Sequence, residues 1–136
     1  MTDCIFCKIA NKEIPSNIVY EDDRFLAFLD IAPANKGHVL VIPKEHHEVY
    51  IDLPDEVLKE LSLVTKKVCL AMSKSLKNCG YNIFMNNKET AGQIVPHAHF
   101  HIIPRFNDDG IKFSYEHKTY SDGEAEQFKE KISKEI

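Results

Sequence analysis

No stretch of this sequence reaches the roughly 18 to 20 consecutive apolar residues that a helix needs to cross a bilayer. The N-terminus, Met1-Thr2-Asp3-Cys4, also lacks the basic flank and the apolar stretch of a secretory signal. A surplus of positive charge is missing too, because 17 Lys and Arg residues face 21 Asp and Glu residues and give a net charge of −4. We therefore expect a cytoplasmic chain with no membrane partner and no stable nucleic-acid partner, which would hold any phosphate through local contacts.

Internal repeats, low-complexity tracts and linkers are absent from the 136 residues, so one compact domain over residues 1–136 is expected. A single long helix is predicted from Pro54 to about Leu76, with Pro54 at its first position and Gly80 serving its exit. Its apolar stripe repeats every three or four residues and consists of Val57, Leu61, Val64, Val68 and Met72.

Five segments have the apolar and β-branched content that is typical of strands. They cover residues 18–20, 25–29, 38–43, 81–86 and 97–104, and the continuous apolarity of the third predicts burial on both of its faces. A short helix or turn is predicted over residues 4–10, and a terminal helix over residues 124–136.

Three histidines alternate with apolar residues in His97-Ala98-His99-Phe100-His101, so a strand would present all three imidazoles on one face. Because a strand rises about 3.3 Å per residue, the backbones of His97 and His101 would stand roughly 13 Å apart, too far for all three rings to ligate one metal comfortably. We therefore expect their roles to divide, with the middle imidazole as a nucleophile toward phosphorus. The competing interpretation is a solvated strand face or a chance metal-binding patch.

The segment from Gln93 to Arg105, QIVPHAHFHIIPR, resembles the signature of the histidine triad (HIT) family of nucleotide hydrolases and transferases. The resemblance extends upstream through CIFCKI at 4–9, FLDI at 28–31 and HVLVIPK at 38–44, and it most resembles the bacterial and Hint-like branch. The core that bears the motifs would thus span about residues 4–105, before a C-terminal extension over about 106–136. The family implies an α+β fold with a five-stranded antiparallel sheet, one long helix and short N- and C-terminal helices, and a homodimer in which two sheets join.

By the same resemblance, His99 is the nucleophile that attacks the α-phosphate of a nucleoside monophosphate derivative and gives a nucleotidyl-histidine, which water then hydrolyses. His101 would offset charge on the phosphate oxygens as a positively charged imidazole, and Gln93 would hydrogen-bond near the reacting centre. The catalytic set implied in this way is His97, His99, His101 and Gln93.

The nucleotide-binding set is also implied by the resemblance. Asp30 matches the ribose partner, and Gly92 would let the backbone approach the phosphate. Ordinary core packing is the alternative for the five apolar residues that match the base slot. The whole set is Ile5, Phe6, Ile9, Phe28, Asp30, Ile31, Asn86, Gly92, Gln93, His99 and His101.

The spacing Cys4-x-x-Cys7 is that of half a tetrahedral zinc site, for which His38, His46, His47 and His97 are candidate partners. A redox pair and unliganded thiols are the alternatives. By resemblance to the related galactose-1-phosphate uridylyltransferases, the ligands would be Cys4, Cys7, His46 and His97, and the zinc would be structural.

The function that this resemblance implies is hydrolysis of AMP-type purine nucleotide phosphoramidates or adenylates. One departure is Ile94, which stands where phosphoramidases of the family often carry a serine, so protonation of an amine leaving group could be slower. Two alternatives stay open, namely a diadenosine polyphosphate hydrolase and a non-catalytic, zinc-stabilised nucleotide-binding or interaction module.

Overall fold

The computed structural model describes residues 3–136, and within them the chain forms three α-helices and five β-strands. Met1 and Thr2, the start of the N-terminus that argues against a secretory signal, lie outside the described residues. In chain order the elements are α1 (Ile5–Ala10), β1 (Ile18–Glu21), β2 (Phe25–Leu29), β3 (Val39–Pro43), α2 (Asp55–Ser75), β4 (Gly80–Phe84), β5 (Phe100–Arg105) and α3 (Glu124–Ser133). Tyr50–Asp52 and Glu89–Ala91 form short 3₁₀ turns.

The five strands form one sheet in the order β1-β2-β3-β5-β4, and every neighbouring pair is antiparallel. The predicted fold class is therefore confirmed. Strands β1 and β4 are the two edges, and β5 lies between β3 and β4, which places the histidine strand one strand in from the β4 edge. No helix within residues 3–136 combines the length and the apolarity that a bilayer crossing requires.

Helix α2 buries the stripe predicted from the sequence, and Asp55 and Glu56 lie in its first turn, where the helix dipole favours negative charge. Two details of its ends differ from the prediction. Pro54 is the N-cap residue rather than the first helical residue, because its ψ of 146° is extended. Gly80 does not serve the exit but begins β4, and the positive φ of 58° in the turn between them is adopted by Asn78.

The core has two layers because alternate residues of β2 and β3 point to opposite faces of the sheet. One face packs against α2, and its buried residues include Phe25, Ala27, Val39 and Val41. The other face packs against α1 through Leu26, Phe28, Leu40 and Ile42. Strand β3 is thus buried on both faces, as its continuous apolarity predicted.

The histidine strand begins at Phe100 and not at His97. Strand β3 continues to Pro43, but its pairing with β5 ends at Val41, which lies opposite Phe100. The Ala98 backbone N–H donates instead to the His47 carbonyl oxygen at 2.6 Å, beyond the end of β3. The alternation of side chains nevertheless continues outside the ladder, because Ala98 is buried in the α2 layer.

Candidate active site and metal site

The structure divides the three histidines of the motif between two clusters. His97 lies with Cys4, Cys7 and His46, and each of these four residues offers one potential ligand atom within 4.8 Å of the others. His101 lies beside His99, with ring centroids 4.7 Å apart, and away from the cysteines. This is the division that the length of the strand predicted.

His99 is almost fully buried, with only 5% of its surface exposed. Its ring packs perpendicular to the Phe6 ring, with centroids 5.0 Å apart. Its Nδ1 donates to the His97 carbonyl oxygen at 2.6 Å, since a carbonyl oxygen can only accept. In the neutral ring the proton is therefore on Nδ1, and Nε2 carries a free lone pair. Burial lowers the pKa of His99, which favours this neutral form.

A chain of hydrogen bonds through His38 fixes the tautomer of His101. The Ala34 backbone N–H donates to Nδ1 of His38 at 3.0 Å, so neutral His38 holds its proton on Nε2. That Nε2 donates to Nδ1 of His101 at 3.0 Å, which leaves the remaining proton of His101 on its own Nε2. His101 therefore presents an N–H donor, while His99 presents a lone pair.

The positive charge expected on His101 is not what its buried surroundings favour. Burial, followed by the neighbouring His99 and His38, lowers the pKa of His101 to about 4. Burial likewise lowers the pKa of His38, although Asp30, with a carboxylate oxygen 3.8 Å from Nδ1 of His38, opposes that shift. These shifts favour uncharged rings at neutral pH, so His101 presents a neutral N–H donor.

The cysteine cluster has the dimensions of a tetrahedral metal site. Nδ1 of His97 lies 3.4 Å from Sγ of Cys4 and 3.6 Å from Sγ of Cys7. Nδ1 of His46 lies 3.4 Å from Sγ of Cys7 and 3.2 Å from Nδ1 of His97. Zinc bonds of about 2.3 Å to sulfur and 2.0–2.1 Å to nitrogen give sulfur–nitrogen edges of about 3.6 Å and nitrogen–nitrogen edges of about 3.3 Å. Cys4, Cys7, His46 and His97 could therefore bind a metal ion together.

His97 is oriented toward this cluster by its other nitrogen. Nε2 of His97 donates to the Pro43 carbonyl oxygen at 2.7 Å, so Nδ1 is free to ligate a metal. The ring is fully buried, and burial lowers its pKa to about 4, which keeps it neutral as a ligand must be. Burial and the neighbouring Cys4 raise the pKa of the Cys7 thiol, so metal binding there would release a proton.

The residues predicted for the base slot divide into buried and exposed groups. Phe6 and Ile9 on α1 are buried together with Phe28 on β2, which is the packing that the alternative interpretation expects. Ile31 is 91% exposed and Ile5 is 43% exposed, so neither is a core residue. These two apolar side chains face solvent near the end of β2 and on α1, where a planar ligand could cover them.

Gln93 is held away from the histidines within the described residues. Its side-chain oxygen accepts from the Lys88 backbone N–H at 2.7 Å, and its side-chain nitrogen donates to the Glu48 carbonyl oxygen at 2.7 Å. The side-chain nitrogen of Asn86 lies 3.5 Å from the carbonyl oxygen of Gly92, whose φ of 89° closes the preceding 3₁₀ turn. Gln93 thus links the backbones of two loops, and within residues 3–136 its side-chain hydrogen bonds go to these backbone groups and not to the motif histidines.

The sequence analysis missed Phe84, whose ring stacks on His101 with centroids 4.6 Å apart and planes 14° apart. Phe84 lies directly across from His101 in the register of β4 and β5. An apolar aromatic residue opposite a motif histidine was a usable signal, but it required a strand register that the sequence does not give.

The chain is similar to known proteins over most of its length. A family model described as the HIT domain matches residues 11–108. The adenosine 5′-monophosphoramidase of Schizosaccharomyces pombe is 42% identical over 134 residues, which are 98% of each chain. The crystal structure of SMU.412c from Streptococcus mutans is 45% identical, with a TM-score of 0.92, and covers 100% of this chain and 87% of its own. A zinc-bound histidine triad protein from Mycobacterium smegmatis is 37% identical, with a TM-score of 0.77, and covers 85% of this chain and 84% of its own.

Proposed function

This chain belongs to the HIT domain family, as its motifs indicated, and on that premise we propose that it is a nucleotide-binding hydrolase. Its substrates would be AMP-type phosphoramidates or adenylates. The observation that carries the proposal is the tautomer of His99, whose Nδ1–H is bound to a carbonyl oxygen and whose Nε2 lone pair is free. The relative named an adenosine 5′-monophosphoramidase supports AMP as the nucleotide.

The reaction would occur in two displacements at phosphorus. Nε2 of His99 attacks the α-phosphate and forms a P–N bond, while the bond from phosphorus to the leaving group breaks with its electron pair. Water then attacks phosphorus and gives up a proton to solvent, the P–N bond breaks with its electron pair returning to Nε2, and AMP leaves with the imidazole neutral again. Ile94 is 92% exposed and has no donor, so an amine leaving group would take its proton from water.

His101 would stabilise the charge that develops on the phosphate oxygens. Its Nε2–H is a donor at neutral pH because His38 donates to its other nitrogen. A neutral donor that is already oriented requires no proton uptake before reaction. His38 is therefore a positioning residue for His101.

Substrate binding would use Asp30 and the surface of α1. Asp30 follows β2, and one of its carboxylate oxygens accepts from the Ala32 backbone N–H at 2.9 Å, which orients the carboxylate for ribose hydroxyls. Ile5 and Ile31 would cover the base, with Phe6 and Phe28 beneath. Gly92 and Asn86 would approach the phosphate, and Gln93 would join them only after its side chain releases the Lys88 and Glu48 backbones.

We propose that the cysteine cluster binds zinc in a structural role. A bound zinc ion would supply a cross-link between α1 and the segment that leads into β5. His97 serves this site and orients His99 through its carbonyl oxygen, so its part in catalysis is indirect. The zinc-bound relative supports this choice of metal.

Three further expectations from the sequence remain predictions. The chain is expected to form one domain and to reside in the cytoplasm. It is also expected to form a homodimer, for which the open edge of β4 is the support, because Tyr81 and Ile83 on that strand are 44% and 45% exposed.

The nucleophile is tested with an AMP derivative that carries a fluorogenic amine. Wild-type protein should release AMP and the amine, and His99→Asn should reduce kcat by at least about 10³-fold while still binding AMP. His117→Asn is the control, because His117 is exposed and its ring meets that of Tyr115 edge to face, outside the motif. Retained turnover in His99→Asn would refute the nucleophile. Tight AMP binding by wild-type protein with no turnover would favour the non-catalytic module.

A further inference from the structure

An aromatic stack joins the C-terminal segment to the candidate active site. Phe84 covers one face of the His101 ring, with centroids 4.6 Å apart and planes 14° apart. Phe113, which follows β5 by eight residues, meets Phe84 edge to face at a centroid distance of 5.8 Å and an interplanar angle of 68°. Both arrangements are geometries that aromatic rings prefer.

Arg105 holds the segment that delivers Phe113. Its guanidinium donates to both carboxylate oxygens of Asp109, at 2.8 and 3.1 Å, and to the Ile111 carbonyl oxygen at 2.8 Å. It also donates to the side-chain oxygen of Asn82 on β4 at 2.9 Å and lies 5.3 Å from the centre of the Phe113 ring. Asp109 in turn accepts from two backbone N–H groups of the same turn. Hydrogen bonds within residues 105–111 therefore close this turn, and the bond to Asn82 attaches it to β4.

His101 needs two constraints if its Nε2–H is to point at one place. The hydrogen bond from His38 fixes the position of Nδ1 of His101. A ring stacked against the imidazole face keeps the imidazole from turning out of its plane. Phe84 provides the second constraint from the strand directly opposite. It also excludes water from one face of an imidazole that otherwise has His38 and His99 as its titratable neighbours, with Asp30 behind His38.

We propose that Phe84 is a positioning residue for His101, and that Phe113, held by the Arg105–Asp109 turn, supports Phe84 in this role. The inference rests on the proposed function, since it assigns a part to His101 in that reaction. In this proposal the beginning of the C-terminal extension holds the aromatic stack in place from outside the sheet. The residues that carry the HIT signature do not include either phenylalanine.

The test compares Phe84→Leu with Phe84→Tyr on the fluorogenic AMP substrate. Leucine keeps the apolar bulk and removes the flat ring, so kcat should fall by about tenfold while KM changes less than about twofold. Tyrosine keeps the ring and should restore kcat to near the wild-type value. Phe113→Leu should lower kcat in the same direction by a smaller factor.

The matched control is Ile102→Val, a change on β5 next to His101 whose side chain lies in the α2 layer. It should lower the melting temperature without moving kcat, which separates positioning from general loss of stability. In addition, NMR titration of His101 in Phe84→Leu should show its pKa rising toward the ordinary value of about 6.5, because a branched side chain covers less of the imidazole face than a stacked ring does.

An unchanged kcat and an unchanged His101 titration in Phe84→Leu would overturn the inference, as would a loss of kcat that Phe84→Tyr does not restore. Absence of turnover in the wild-type protein would refute the proposed function instead. The titration does not depend on turnover, so it tests the stacking in either case.

Discussion

Single hydrogen bonds decide which nitrogen of each buried histidine is available for chemistry. His97 and His99 each donate to a backbone carbonyl oxygen, but through opposite nitrogens, so that His97 presents Nδ1 and His99 presents Nε2. Because a carbonyl oxygen cannot donate, both assignments follow from the geometry alone. Two chemically identical side chains are thus given different free nitrogens, one suited to bind a metal ion and the other to the proposed nucleophilic role.

The neutral state of His101 predicts a dependence of stability on pH. The pKa of His101 in the folded chain is about 4, below the ordinary value of about 6.5 that applies in the unfolded chain. Between pH 6.5 and 4, His101 therefore binds a proton in the unfolded chain but not in the folded chain. The contribution of neutral His101 to the free energy of unfolding is therefore fully present above pH 6.5, and it should be lost as the pH drops through this window.

Replacing His101 should reduce this fall. In His101→Asn, the loss of unfolding free energy between pH 7 and 4.5 should be smaller than in the wild type by about 1 kcal/mol, well below the full value of the pKa shift because part of the ring touches water. Urea unfolding at both pH values in the presence of EDTA measures the difference. His117→Asn is the control and should behave as the wild type does. An equal loss in His101→Asn would contradict the buried, neutral assignment.

At the scale of elements, the sequence predicted best where a pattern repeats within one segment. The stripe from Val57 to Met72 predicted α2 because each buried residue follows the last by three or four positions. The predicted start of β5 was wrong by three residues, since the pairing with β3 ends at Val41 opposite Phe100 and the Ala98 backbone N–H bonds to His47 instead. Element type is thus a local property of the chain, whereas an element boundary here is decided across the sheet.

Helix α1 has six residues, too few to be stable without tertiary support. Its apolar side and the proposed zinc site are the two attachments that hold it over the sheet. We predict that purified protein contains about one zinc per chain and that Cys4→Ser loses it. The free energy of unfolding should then fall by about 3 kcal/mol, which is less than a zinc finger loses because the α2 layer of the core contains none of the four ligands.

Cys79→Ser provides the control for this experiment. Cys79 is a half-buried thiol whose sulfur lies near the Met72 carbonyl oxygen, remote from the cluster. This variant should keep its zinc and nearly all of its stability. Metal-free protein that is as stable as the wild type would refute the zinc assignment, and the result would not depend on turnover.

At the scale of the whole molecule, the site is assembled from segments that are distant in sequence. The motif histidines and the ligand pair Cys4 and Cys7 could be recognised because their spacing and chemistry are written within short segments. The contacts of Gln93 and Phe84 could not, since they depend on a loop packed from elsewhere and on the register of β4 against β5. Sequence motifs therefore indicate which residues react, while the residues that orient them require the fold.

The two edges of the sheet provide a final prediction about assembly. Strand β4 exposes Tyr81 and Ile83, and backbone groups along an unpaired edge strand favour pairing with another strand. We expect two copies to join along β4, so that sedimentation velocity gives about twice the chain mass of 15.6 kDa. Ile83→Lys places a charge on this edge and should shift the protein to the monomer. Val19→Lys places the same charge on β1, the opposite edge, where Val19 is 51% exposed, and should leave the dimer intact. A wild-type monomer, or a dimer that dissociates only in Val19→Lys, would show that β4 is not the interface.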